Sequence, residues 1–225
     1  MFTDQVSQLQ RETPMTQKSR FTLILLTYLA ISSIPSPAED WPQLQGNAQH
    51  SGDAPLVLLP TQPGLIAAIP LTDAVLAAPV VSDGKAFVVD ASGVIFAIDT
   101  NTLQVVWKFA TSGGSGNCNN VAAPAVIGNY VHVGTMAGRY YVLDRDSGNV
   151  VREIDCAEPV FAAPVAGDDR VYFATLGAQV YAVTPDGQIV WTWDFVKEVV
   201  GFDGDRWKGE DWVAFRGDRV TWRDH

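Results

Sequence analysis

The chain has 225 residues, 47% of them hydrophobic and 18% charged, with a formal net charge of −10. These are globular proportions. An acidic balance excludes the basic patch that nucleic-acid recognition needs, and it gives no attraction to an anionic membrane surface. Residues 1–38 read as a leader: Lys18 and Arg20 precede an apolar run over 21–31 that is too short to span a membrane, and Ser36-Pro37-Ala38 sets small residues for cleavage after Ala38. Met15 makes the more ordinary start of such a signal, so 1–14 are a mis-assigned start or an extra leader. The expected destination is the periplasm or the exterior.

Beyond a lead-in over 39–74, one segment occurs three times. Val75-Leu76-Ala77-Ala78-Pro79-Val80 returns as Asn120-Val121-Ala122-Ala123-Pro124-Ala125 and as Val160-Phe161-Ala162-Ala163-Pro164-Val165, so the prolines are spaced by 45 and then 40 residues. The units stay aligned past the proline. Trp107 follows its proline by 28 residues, Arg152 by 28 and Trp191 by 27. Each unit is a series of short runs rich in Val, Ile, Tyr and Phe, separated by turns: Ser82-Asp83-Gly84 and Ser92-Gly93 in the first, Gly128-Asn129 and Ala137-Gly138 in the second, Gly167-Asp168-Asp169 and Leu176-Gly177 in the third. Such runs predict strands and hairpins, and the sequence after residue 40 shows no helical period. Four strands per ~40 residues is one β-propeller blade. The predicted blades fall near 75–112, 120–157 and 160–196. A partial fourth is predicted over 212–225, where the run from Val213 to Trp222 reads as a hairpin turning at Gly217-Asp218-Arg219.

The third hairpin of each unit carries a family pattern: Ile98-Asp99 leading to Val106-Trp107, then Leu143-Asp144-Arg145-Asp146-Ser147-Gly148 leading to Arg152, then Pro185-Asp186-Gly187 leading to Trp191. This resembles the PQQ-like repeat of quinoprotein dehydrogenases and of the outer-membrane assembly factor BamB, and 40–52 (Asp40-Trp41-Pro42-Gln43 onward) resembles the stretch that precedes such propellers in exported proteins. The resemblance implies an all-β fold, a partial propeller of about three and a half four-stranded blades from a ring of seven or eight. The apolar run at 64–71 would then be the outer strand of a preceding blade. It also implies two functions. One is a binding or scaffold module that takes a protein partner or small ligand at its rim or channel, with self-association as a way to complete the ring. The other is the N-terminal part of a dehydrogenase that holds PQQ in the channel with Ca²⁺ on carboxylate and amide side chains. No vicinal Cys pair or C-x-x-C-H motif stands here, and no Cys lies near Ala38, a departure from the lipoprotein BamB type. Arg152 stands where the repeat has Trp, so one inter-blade tryptophan contact is expected to be lost.

Candidate chemistry is sparse. Cys118 and Cys156 precede the first strands of neighbouring blades on the same face, a position that allows a disulfide stapling them; two unpaired thiols are the alternative. The run from Asp203 to Asp211 resembles a Ca²⁺ loop, but Trp207 stands where a third oxygen ligand belongs and Gly209 is one place late. If an ion binds, Asp203, Asp205 and Asp211 are its ligands; otherwise they are solvated. Gly113-Gly114-Ser115-Gly116-Asn117 lacks the Lys of a phosphate loop and reads as an inter-blade loop. Arg216-Gly217-Asp218 reads as a turn, and His132 as a structural residue within a strand. There is no nucleophile elbow and no spaced carboxylate pair, so no catalytic residue is assigned.

Overall fold

Alternating apolar residues between Gly- and Asp-bearing turns give twelve strands among the described residues. The computed structural model describes residues 40–53, 64–112, 119–120, 122–167 and 169–216. The leader, Cys118 and the end of the predicted fourth hairpin lie outside them. The first blade is β1 (Val80–Ser82), β2 (Lys85–Val89), β3 (Val94–Asp99) and β4 (Val105–Ala110). The second is β5 (Ala125–Ile127), β6 (Tyr130–Gly134), β7 (Arg139–Asp144) and β8 (Val150–Asp155). The third is β9 (Val165–Ala166), β10 (Val171–Ala174), β11 (Gln179–Val183) and β12 (Ile189–Asp194). Each blade is an antiparallel meander in sequence order. Register slips at the same place in all three, between Ala97 and Ile98, Val142 and Leu143, and Ala182 and Val183. The inner strands β1, β5 and β9 are neighbours in turn.

The core lies between blades. Phe87, Val89, Ile95 and Ala97 of the first pack on Val131, Val133, Tyr141 and Leu143 of the second. Tyr140, Val142 and Ile154 on its other face pack on Val171, Phe173, Tyr181 and Val183 of the third. Consecutive Tyr140 and Tyr141 are therefore both buried, because the middle blade is covered on two sides. Tyr140 stacks on Phe173 with centroids 3.6 Å apart.

The outer hairpins lock neighbouring blades together. Trp107 Nε1 donates to the Arg145 carbonyl at 2.9 Å, and its ring lies so close over Gly148 that a Cβ there would meet it at 2.6 Å. In the next interface Arg152 takes the same place. Its stem would lie 3.2 Å from a Cβ on Gly187, and its Nε donates to the Asp186 carbonyl at 3.3 Å. The contact expected to be lost is thus kept in thinner form, since the Arg stem is flat and apolar and its guanidinium carries a donor.

One expectation changes. The segment from Val213, expected as a strand, is the second half of helix α1 (Gly209–Arg216). Glu210 and Asp211 fall in its first turn, where acidic groups favour a helix. A further π-helical turn, Val196–Val200, ends on left-handed Gly201. Residues 64–71 pair with no strand among the described residues, and Leu65 and Ile66 are each 88% exposed. No helix among the described residues is long and apolar enough to cross a membrane.

Candidate functional site

The β1–β2 and β3–β4 turns lie at one end of the blades. The β2–β3 turns and the connectors between blades lie at the other, and the buried polar groups gather at this connector end. One repeat position is polar in every blade: Asp90, Thr135 and Thr175 each follow β2 or its counterpart and are buried. All three tie down the next turn. The backbone N–H groups of Val94, Arg139 and Gln179 donate to them at 3.1, 3.2 and 3.1 Å. Asp90 also accepts from the Thr72 hydroxyl and N–H, the Asp73 N–H, and the Ser92 hydroxyl and N–H. Burial pushes its pKa up, but these donors outweigh burial and hold it below the ordinary carboxylate range.

The connectors grip these turns in a repeating pattern. The carbonyls of Ala74, Asn119 and Pro159 accept from the N–H groups of Ala91, Met136 and Leu176 at 2.7, 2.9 and 2.7 Å. In the third blade the left-handed turn residue is Ala178, φ 66°, at the place of Gly93 and Gly138. Gly177 has a different reason to be glycine: a Cβ there would sit closer than 3.0 Å to the carboxylate of Glu158.

Glu158 is the centre of a polar cluster that the repeat does not explain. It is buried on the connector between the second and third blades. Thr175 Oγ1 donates to it at 2.5 Å and Trp207 Nε1 at 3.3 Å, and Arg206 Nε lies 3.3 Å away. Arg206 also donates to the Gly177 carbonyl and pairs with Asp194 at the end of β12. Burial raises the Asp194 pKa, but Arg206 and the Lys197 N–H overcome it and the net direction is down. A cavity of about 180 Å³ lies above, lined by Leu176, Gly177, Ala178, Val196, Arg206 and Trp207. Sequence reading missed Glu158 and Arg206, which stand 48 residues apart with no motif between them.

The predicted metal residues Asp203, Asp205 and Asp211 are engaged in separate contacts. Asp203 pairs with Lys197 at 3.0 Å, Asp205 accepts from the Trp207 N–H at 2.9 Å, and Asp211 accepts from the Asp205 N–H at 2.9 Å. Among the described residues no three or more His, Cys, Asp or Glu side chains group to hold a metal ion. Cys156 is a buried free thiol, and its expected partner Cys118 lies outside the described residues. Burial, with the nearby Asp155 and Glu158 carboxylates, pushes its pKa up to about 12 despite a hydrogen bond with Tyr181. His132 is fully buried between blades, 3.2 Å from the Tyr140 hydroxyl and 2.9 Å from the Pro185 carbonyl, as a structural residue should be.

Three stacked four-stranded meanders, each locked to the next through its outer hairpin, define a segment of a β-propeller. The family described as outer membrane protein assembly factor BamB matches residues 64–160. A lanthanide-dependent methanol dehydrogenase of Methylacidiphilum fumariolicum is 28% identical over 168 residues, 72% of this chain and 24% of the relative. Two solved structures show the same fold: the quinohemoprotein alcohol dehydrogenase ADHIIG of Pseudomonas putida HK5, at 21% identity and TM-score 0.60 over 72% of this chain and 27% of that one, and a europium-containing methanol dehydrogenase, at 17% and 0.60 over 72% and 33%. The chain is therefore similar to the PQQ-like repeat β-propellers in its repeats and in its fold. It spans between a quarter and a third of the length of these relatives.

PQQ is a flat quinone with three carboxylates, so a site for it needs cations and a metal set facing one opening. The described connector end does not fit that need. Its buried acids, Asp90 and Glu158, are saturated by the chain's own donors, and Arg206 spans Glu158, Asp194 and the Gly177 carbonyl.

Proposed function

We propose that this chain is part of an exported PQQ-like propeller that acts as a binding or scaffold module. Its leader, residues 1–38, directs it to the periplasm or beyond, and it takes a protein partner on its surface rather than transforming a substrate. One observation carries this reading. The buried acids of the connector end serve to hold turns and connectors, while the third blade carries an aromatic surface: Tyr172 and Trp191 lie side by side, Trp193 lies beside Phe195, and Trp191 and Trp193 are 41% and 42% exposed. Exposed apolar patches of this kind mark interaction surfaces, and Trp191 holds the repeat position of Trp107 and Arg152, so a further blade and a protein partner are both occupants that this face fits. Light scattering on the chain from residue 39, with and without PQQ and Ca²⁺, tests it. A discrete dimer or a compact monomer, indifferent to both, supports the module.

A second reading, part of a quinoprotein dehydrogenase, is favoured by the similarity to the lanthanide-dependent methanol dehydrogenase. Saturable binding of PQQ with Ca²⁺ or a lanthanide in the same samples would establish it and overturn the first.

A further inference from the structure

The lead-in touches all three blades. Residues 40–43 cross the inner strands at one repeat position, two residues past the proline of each unit: Val81, Val126 and Ala166. Trp41 bridges Val81 in both directions, donating to its carbonyl at 2.7 Å and accepting from its N–H at 2.9 Å. The Pro42 carbonyl accepts from the Val126 N–H at 2.7 Å. The side chain of buried Gln43 then does for β9 what a strand would: Nε2 donates to the Ala166 carbonyl at 3.1 Å and Oε1 accepts from its N–H at 2.8 Å. The Asp40 carboxylate anchors the start of the segment on the Ser82 hydroxyl and the Asp83 N–H, 3.1 and 3.0 Å away. Gly46, at φ +87°, folds the chain back so closely on Trp41 that a Cβ would lie 3.2 Å from the indole.

β1, β5 and β9 end their sheets on the inner side, so their inward backbone groups have no strand partner within the blade. Such an edge needs its donors and acceptors met. A plain array of repeats couples only nearest neighbours, and a terminal unit can then open alone. A segment bonded to the first, second and third inner strands removes that independence.

We propose that residues 40–43 are an inner clasp that couples the third blade to the first. Gln43 is its latch: the amide supplies both a donor and an acceptor, and its length spans to Ala166 from the segment already fixed by Trp41 and Pro42. Asn has the same chemistry but is one methylene shorter and does not reach.

Native-state hydrogen exchange on the full chain tests this, with Gln43→Ala, Gln43→Asn and the exposed control Gln49→Ala. The latch variants should raise exchange across β9–β12 about tenfold while β1–β4 stay within about twofold of the parent, because two hydrogen bonds to one blade are lost. Gln49→Ala should change neither. Equal acceleration of all three blades in both latch variants, loss of all protection in both, or no change in either would overturn the clasp.

Discussion

Replacing Gly177 by Ala adds one methyl group at a backbone that any residue can adopt, since Gly177 is outside the left-handed region. The methyl would lie closer than 3.0 Å to both carboxylate oxygens of Glu158. Backbone bonds from Leu176 to Pro159 and from Ala178 to Thr175 hold the turn in place, so the carboxylate must move. It would give up the Thr175 bond of 2.5 Å, the Trp207 bond of 3.3 Å and the pairing with Arg206 at 3.3 Å. A charge-assisted hydrogen bond contributes about 1.5–3 kcal/mol, and breaking a buried ion pair costs about 3–5 kcal/mol. Arg206 keeps Asp194 and the Gly177 carbonyl. The expected loss is therefore about 2–4 kcal/mol, read from urea unfolding, with a change in Trp207 emission. Gly209→Ala, with nothing within 4 Å and no left-handed φ, should stay within about 0.5 kcal/mol of the parent. Adding Glu158→Ala to Gly177→Ala should recover part of the loss, because the clash has gone. A Gly177→Ala protein within about 0.5 kcal/mol of the parent would refute the close approach and the cluster built on it.

The outer lock predicts that Trp107→Ala costs about 2–4 kcal/mol, while Arg152→Trp raises the urea midpoint by covering Gly187 more fully; a fall would show that only a thin stem fits. Burial holds the His132 pKa down to about 4, against 6.5 for a free imidazole, so the unfolded chain protonates first as pH falls. His132 therefore leaves stability intact above about pH 6.5 and lowers it toward pH 4 by up to about 3 kcal/mol, and His132→Gln should flatten that part of the stability–pH curve relative to the parent. Cys156, with its thiol raised to about 12, should resist alkylation at pH 8 in the folded chain and react on unfolding, followed by peptide mass spectrometry. A Cys118–Cys156 bridge in the same peptides would overturn the free thiol. Asp90→Thr should keep the β2–β3 turn, as Thr135 and Thr175 do, yet speed proteolysis near residues 72–74, since Thr cannot also hold Thr72 and Asp73; unchanged cleavage would remove that role from Asp90.

The blades were legible because each repeats the same local chemistry. Lys85–Val89 and Gln179–Val183 are strands that begin just after predicted turns, since turn residues such as Asp83-Gly84 fix where a hairpin reverses. The helix at Gly209–Arg216 was not legible, because its apolar residues also fit a strand and Gly217-Asp218 suggested a hairpin turn. The Glu158–Arg206 cluster was invisible for another reason. It joins a connector to a segment beyond the last strand, and no periodic pattern links two residues that meet only when a chain folds back. Arg152 was read as a loss because residue type, not shape, defines the family pattern. In space its stem and Nε do what the Trp107 ring and Nε1 do.

The repeat also decides how a buried acid is to be read. Asp90 is fully buried, which in an isolated view invites a catalytic role. Its counterparts Thr135 and Thr175 hold the same kind of turn with a neutral hydroxyl, so the position needs an acceptor and not a charge. The charge at 90 meets the extra donors of Thr72 and Asp73, which lie just before the connector residue Ala74. Glu158 is different in kind. Its counterpart position in the previous connector, just before the residues that grip the turn, lies outside the described residues, and the carboxylate binds an arginine from beyond the last strand rather than a turn amide. A residue whose job repeats in every blade belongs to the scaffold. A residue whose partners occur once is where the third blade departs from its own repeat, and that places the search for a particular role at Glu158, Arg206 and the surface around Trp207.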